Sequence, residues 1–294
     1  MGKWGLVMTE PAMVVSASYP KSGSTWLRMQ LRAYLESEPE VDINGDGFSC
    51  LFIDGRHLMD DEVGIPIAEL KPETIIEVFP WYIEQLAQRE PYPNFARVHE
   101  AYVRRADGSP IFPSSAIARA IELVRNPLDV AVSFAYHSGR SMDRMIDFMI
   151  NGVHTQHTTH SRLQMRFPIA TMSWGENVCS WADQTDIPIL VLRYEDRLID
   201  PLGTFENIVD FLGLEKDSSR IRQAVEATQF DRLQAQEKRN GFRERYRVEQ
   251  PFFRRGISGG WRDELTDVQA MRIIDAFAPT MRRFGYLDEA GNPA

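Results

Sequence analysis

Lys21, Ser22, Ser24 and Thr25 crowd around Gly23 in the run Tyr19-Pro20-Lys21-Ser22-Gly23-Ser24-Thr25-Trp26. One ammonium and three hydroxyls around a glycine suit the holding of a phosphate. The run follows a short apolar strand candidate, Met13–Ser18, and opens a helix candidate at about Ser24–Ser37, where Leu27, Leu31 and Leu35 recur at four-residue spacing. A strand, a small-residue turn and a helix N-terminus aim backbone N–H groups and the positive end of the helix dipole at whatever sits in the turn. The pattern departs from the nucleotide-triphosphate loop G-x-x-x-x-G-K-[ST]. Aligned on Gly23 and Thr25, Ser18 takes the first glycine position and Ser24 takes the lysine position, while a lysine stands earlier as Lys21. A P-loop kinase using ATP on a small metabolite is therefore the weaker alternative.

Two further runs offer anion chemistry. Ile121–Val124 reads as a buried strand, followed by Arg125-Asn126-Pro127-Leu128-Asp129-Val130-Ala131-Val132-Ser133. Pro127 suits the first turn of a helix and Asn126 its cap. Arg125 then ends the strand, and Ser133 lies on the helix on the side of Asp129. The third run, Phe252-Phe253-Arg254-Arg255-Gly256-Ile257-Ser258-Gly259-Gly260-Trp261, joins two cations to a glycine-rich backbone. Arginine forks match phosphate oxygens bidentately.

In this order, the three runs resemble the donor-binding motifs of the soluble, cytosolic-type sulfotransferases: Y-P-K-S-G-T-T-W, R-N-P-x-D-x-x-x-S and R-K-G-x-x-G-x-W. The resemblance spans roughly residues 13–262. Ser24, Arg255 and Gly260 are the departures, the last two standing for lysine and an acidic residue. The resemblance implies 3′-phosphoadenosine 5′-phosphosulfate (PAPS) as sulfonyl donor, the adenosine bisphosphate (PAP) as product, and no metal. It places the 5′-phosphosulfate on Lys21, Ser22, Gly23, Ser24 and Thr25. Arg125, Ser133, Arg254, Arg255 and Gly256 would hold the 3′-phosphate. Trp26 would stack on the purine, with Tyr194 of Arg193-Tyr194-Glu195-Asp196 and Thr228 and Phe230 of Thr228-Gln229-Phe230 lining the adenine pocket. Trp174 to Trp181 resembles a G-S-W…S-W run. Lys21 would also support the leaving phosphate, restrained by Ser133.

Sulfonyl transfer to an alcohol needs a base, and histidine suits that task near neutral pH. Of six histidines, His99 stands out in the extended run Phe95-Ala96-Arg97-Val98-His99-Glu100. This resembles the family's K-T-H segment, whose histidine is the base. Arg97 replaces its lysine, keeping the charge with a different reach. His154, His157 and His160 fall in a threonine-rich stretch read as a loop over the acceptor site rather than a metal site.

These residues must be positioned by alternating strands and helices. Strand candidates Met13–Ser18, Phe95–His99, Ala120–Val124 and Ile187–Leu192 are separated by helical stretches, including Pro72–Arg89 and Thr266–Arg283. That alternation predicts a single α/β domain over residues 1–294, with a parallel sheet covered by helices on both faces and a helical segment at 263–294. The 294 residues can bury one large core. The net charge of −9 argues against a generic nucleic-acid binder. No apolar run suggests a membrane anchor or secretory leader. Two cysteines, Cys50 and Cys179, suit a reducing cytoplasm. The acceptor is expected to be a small-molecule hydroxyl, with an amine as second class. Its walls are expected in Glu38–Tyr92 and Ser138–Thr171, around Phe48, Phe52, Phe79, Trp81, Tyr82, Met142, Met145, Phe148 and Met149. A family dimerisation segment is not recognisable before Phe252, so the oligomeric state stays open.

Overall fold

A computed structural model describes residues 12–37, 40–45, 50–53, 55–89, 94–152, 171–245 and 249–294. The chain gathers into two compact units, each from three separated stretches. Met1–Tyr19, Ser49–Glu122 and Asn151–Val191 make the first; Pro20–Phe48, Leu123–Ile150 and Leu192–Ala294 make the second.

The fold is α/β, built on a five-stranded sheet of order β2-β3-β1-β4-β5. Its strands are β1 (Met13–Ser18), β2 (Cys50–Phe52), β3 (Asn94–Val98), β4 (Ile117–Val124) and β5 (Ile189–Arg193). β3 pairs in parallel with β1 on one side and with β2 on the other. The helices are α1 (Ser24–Glu36), α2 (Arg56–Val63), α3 (Pro72–Ala87), α4 (Pro127–Ser138), α5 (Met142–Asn151) and α6 (Trp174–Asp183). They continue with α7 (Tyr194–Ile199), α8 (Pro201–Leu212), α9 (Ser218–Ala227), α10 (Phe230–Asn240) and α11 (Asp267–Arg283). The α/β class and the parallel sheet agree with the sequence reading.

In the first unit, strand alternation sorts side chains by face. Met13, Val15 and Ala17 of β1 and Ala96 and Val98 of β3 point to one side and are buried with Phe79, Tyr82, Ile83 and Leu86 of α3 and Trp181 of α6. Each such large apolar side chain contributes roughly 1.5–3 kcal/mol on burial. Ser16, Ser18, Arg97 and His99 take the alternate positions. The register sets Ser16 beside Arg97 and Ala17 beside Val98, so Ser18 and His99 follow as neighbours.

In the second unit, α1 starts at Ser24 as expected and ends one residue early, where Ser37 adopts φ 54°. Its buried Leu27, Leu31 and Leu35 occupy the four-residue spacing seen in the sequence, and α1 packs against α9. Asn126 caps α4 by accepting from Leu128 N at 3.0 Å.

Two expectations change in detail. β2 was not foreseen: three residues are too few for an alternation signal, and pairing with β3 creates the strand. Of the expected acceptor-wall residues, Phe79, Tyr82, Met145 and Met149 are fully buried in packing. Trp81 is 44% exposed. Phe48 and the histidines His154, His157 and His160 lie outside the described residues. Among the described residues, no helix is long and apolar enough to cross a membrane.

Candidate functional site

The turn between β1 and α1 has an unusual backbone. Lys21 has φ 72° and Gly23 φ 103°, both left-handed. Gly23 is the N-cap of α1 and has no side chain to offer, so the first amides of the helix point into the turn uncapped. A Cβ at Gly23 would lie 2.8 Å from Tyr194 Cδ2, so only glycine fits. The Ser22 hydroxyl is fully buried and has no hydrogen-bond partner among the described residues. Leaving a buried hydroxyl unpaired costs about 1–3 kcal/mol, and an anion's oxygen in the turn would satisfy it. Ser24 and Thr25 begin α1 and are buried. Thr25 Oγ1 lies 3.5 Å from Glu244 Oε2, and Arg28 also bonds Glu244.

Arg125 joins the three runs within the second unit. Its Nη1 donates to Lys21 O at 3.0 Å and its Nη2 to Ile257 O at 3.2 Å. Its guanidinium lies 4.2 Å from the centroid of the Tyr194 ring. The Nε of Arg125 is buried, with no hydrogen-bond partner among the described residues. Ser133 is half-buried on α4. Lys21 Nζ sits 4.0 Å above the Phe252 ring, a cation–π contact that holds the ammonium over the start of the third run.

Both arginines of the third run meet acids. Arg254 Nη2 lies 2.7 Å from Glu264 Oε1, and its guanidinium lies 4.0 Å over Tyr136. Arg255 reaches Asp263 at 2.8 Å and Glu264 at 3.1 Å. Burial works against the charge on Glu264, but hydrogen bonds from Arg254, Tyr136 and Arg255 hold its carboxyl below the usual range. Partly exposed pairs like these add little stability; they set where the two forks point.

Trp26, Tyr194 and Thr228 come together beside the turn, while Phe230 packs on Phe253 and Gly256. Trp26 Nε1 donates to Thr228 O at 3.1 Å, and the Tyr194 ring meets Trp26 edge-on at 5.9 Å. Thr228 takes part through its carbonyl; its hydroxyl bonds back to Ala224 O at 2.7 Å. Phe230 fills the space where Gly256 would carry a side chain. Gly256 has φ +62°, and a Cβ there would overlap the ring. Gly256→Ala is accordingly expected to destabilise the protein by about 2–3 kcal/mol, read as a lower urea midpoint. A change under about 0.5 kcal/mol, the size of an ordinary surface substitution, would show that the loop and ring yield.

Several supports carry little sequence signal. Asp129 is buried and accepts from Gly259 N at 2.8 Å and Trp261 N at 3.0 Å, so α4 holds the glycine loop of the third run. Glu195 accepts from Asn126 N at 3.0 Å and Tyr286 OH at 2.9 Å. Burial pushes the Glu195 carboxyl up, against those hydrogen bonds. Glu237 of α10 accepts from Phe252 N at 2.7 Å and Phe253 N at 2.8 Å. Asp129 and Glu195 stand inside the quoted runs, as acids among apolar neighbours. Glu237 sits in a polar helix, where nothing marks it.

His99 is positioned within the first unit. Its Nδ1 lies 2.8 Å from Ser18 O and 3.3 Å from Ser18 Oγ. A carbonyl can only accept, so the Nδ1 bond to it carries the proton, and in the neutral ring Nε2 is then the acceptor nitrogen. Helix α6 fixes the backbone around this residue. Asn177 Nδ2 donates to His99 O at 2.9 Å and Trp181 Nε1 to Glu100 O at 2.8 Å. Ser180 Oγ accepts from Tyr102 N at 2.8 Å. Trp174 and Trp181 are fully buried, so their run serves the core and this backbone. Arg97 is 9% exposed, with its guanidinium 4.0 Å above the Phe52 ring.

The profile of the sulfotransferase domain family matches residues 11–285. Sulfotransferase 1C2 of Oryctolagus cuniculus is 24% identical over 304 aligned positions, covering 95% of this chain and 87% of that protein. Sulfotransferase 1A1 of Canis lupus familiaris is 25% identical, covering 94% and 85%. Among solved structures, retinol dehydratase in complex with androsterone and the inactive cofactor PAP is similar in fold, with a TM-score of 0.62 at 21% identity, covering 95% of this chain and 82% of that one. Mouse sulfotransferase SULT7A1 complexed with PAP gives a TM-score of 0.59 at 19% identity, covering 98% and 89%.

Proposed function

This chain belongs to the sulfotransferase family, and from that premise we propose that it moves a sulfonyl group from PAPS to a hydroxyl of a small-molecule acceptor. The observation that carries the donor assignment is Arg125, whose guanidinium ties the Lys21 turn to the third run through two carbonyls. The buried Ser22 hydroxyl, unpartnered among the described residues, and the start of α1, which no side chain caps there, fit an anion in the turn. When bound, the donor supplies an activated sulfonyl group on a phosphate leaving group.

The protein's own residues divide the work. Lys21, Ser22, Gly23, Ser24 and Thr25 hold the phosphosulfate end; Arg125, Ser133, Arg254, Arg255 and Gly256 hold the 3′-phosphate. Trp26 offers its indole face to the adenine, with Tyr194, Thr228 and Phe230 around it. His99 takes the acceptor's hydroxyl proton at Nε2. The Lys21 ammonium stabilises charge that develops on the leaving phosphate, a contribution larger in the transition state than in the ground state. We read the whole chain as one catalytic domain, because neither unit is continuous in sequence. A cytoplasmic setting suits a chain with only two cysteines, Cys50 and Cys179.

The test is a thermal shift followed by label transfer. Adenosine 3′,5′-bisphosphate at 100 times its dissociation constant should stabilise the protein by about 2.7 kcal/mol; ATP with magnesium should do much less. Sulfonate-labelled PAPS should then label a member of a mixed panel of phenols, alcohols and amines. Stabilisation by ATP with magnesium instead of the bisphosphate would favour the kinase reading and end this one.

A further inference from the structure

Arg197 lies on α7, three residues after Tyr194, and is 1% exposed. Its Nη2 donates to Gln30 Oε1 at 2.6 Å, and its guanidinium lies 4.3 Å from the Trp26 ring centroid. Nη1 is buried and has no hydrogen-bond partner among the described residues. Among the described residues, no carboxylate pairs with Arg197. A Cβ built on Gly23 would sit 3.5 Å from Nη1, so the guanidinium adjoins the anion-binding turn.

A buried cation without a counter-ion is costly to a fold. Here burial lowers the guanidinium's pKa to about 10, which still leaves it charged at neutral pH. The surroundings add like polarity. The N-terminus of α1 begins at the adjoining Gly23, and Arg125 bonds the backbone of the same turn. Positive potential thus accumulates beside Arg197, to which none of the described residues supplies an anion. An apolar side chain of similar volume would pack without that penalty.

We propose that Arg197 is a further element of the donor site: a buried cation beside the phosphate turn that braces the Trp26 ring and favours an anionic nucleotide. The proposal rests on the PAPS reading above. It makes the protein's electrostatic strain in the ligand-free state a source of donor affinity. Arg197 acts through the field it sets at the turn and through the ring it holds.

The experiment measures adenosine 3′,5′-bisphosphate binding by titration calorimetry for wild type, Arg197→Met and Arg197→Lys, with melting of each ligand-free protein. Arg197→Met should bind the bisphosphate about tenfold more weakly, the size expected when one charged contact is lost. Its ligand-free form should melt at the same temperature or higher. Arg197→Lys should keep most of the affinity. Equal affinity in wild type and Arg197→Met would overturn the role of Arg197 alone. A lower melting temperature for ligand-free Arg197→Met would also overturn it, by making the guanidinium a structural strut. A wild type that ignores the bisphosphate would remove the donor reading and this proposal together.

Discussion

His99→Ala is expected to lower kcat by about 10²–10⁴, the range for loss of a positioned general base. Three observations support a loss of chemistry rather than of structure. The imidazole's Nδ1 is held by the Ser18 carbonyl at 2.8 Å, which in the neutral ring leaves the proposed base nitrogen, Nε2, unprotonated. The backbone is held independently: Asn177 and Trp181 bond the carbonyls of His99 and Glu100, and Glu100 Oε2 accepts from His99 N at 3.0 Å. These bonds survive truncation to alanine. His99 is also only partly buried, so the cavity left is small and the fold should persist. The expected result is therefore a folded protein with wild-type affinity for adenosine 3′,5′-bisphosphate and a collapsed turnover. Single-turnover label transfer with donor in excess reads the chemical step directly. Undiminished turnover in folded His99→Ala would end the assignment of the base.

The three runs that suggest anion chemistry were legible because each is local. Tyr19–Trp26 carries its strand exit, turn and helix start within eight residues, so its chemistry can be read before any tertiary contact is known. The same holds for Arg125 at the end of β4 and for the helix that follows it, whose start at Pro127 under an Asn126 cap agrees with the sequence reading. What holds these runs together was not legible. Asp129 grips Gly259 and Trp261 across about 130 residues of chain, a pairing without a local signature. Glu264 and Asp263 lie just past the third run and engage both of its arginines, while the sequence displays the two cations alone. Arg197 follows Tyr194-Glu195-Asp196 as one more charge on a short helix; only the fold shows it fully buried against Trp26. β2 illustrates the same limit for structure, since its three residues become a strand through β3. The aromatic and methionine residues of the acceptor region read equally as wall or core until packing decides, and for Phe79, Tyr82, Met145 and Met149 packing takes them into the interior.

Lys21→Ala is expected to cut kcat by about 10²–10³, matching the removal of one preorganised group from a developing oxyanion, or roughly 2.7–4 kcal/mol. The geometry separates its charge from its backbone. Lys21 is held at φ 72°, a conformation that alanine adopts at much the same cost, so the substitution leaves the turn's strain in place. The bond from Arg125 goes to the Lys21 carbonyl, which alanine retains. What disappears is the ammonium now held 4.0 Å over Phe252. Lys21→Gly provides the control, since it relaxes the backbone and removes the same charge; both variants should be impaired alike if charge is what matters. Lys21→Arg should not restore full rate, because a planar fork cannot take the place of a compact ammonium at a single oxygen. The loss should fall chiefly on kcat, with bisphosphate affinity reduced far less, because the charge it meets grows only as the sulfonyl–phosphate bond breaks. Calorimetry with the bisphosphate and single-turnover rates measure the two separately. Equal losses of affinity and rate would make Lys21 a binding cation alone, and a Lys21→Gly variant much more active than Lys21→Ala would move the effect from the ammonium to the turn's strained backbone.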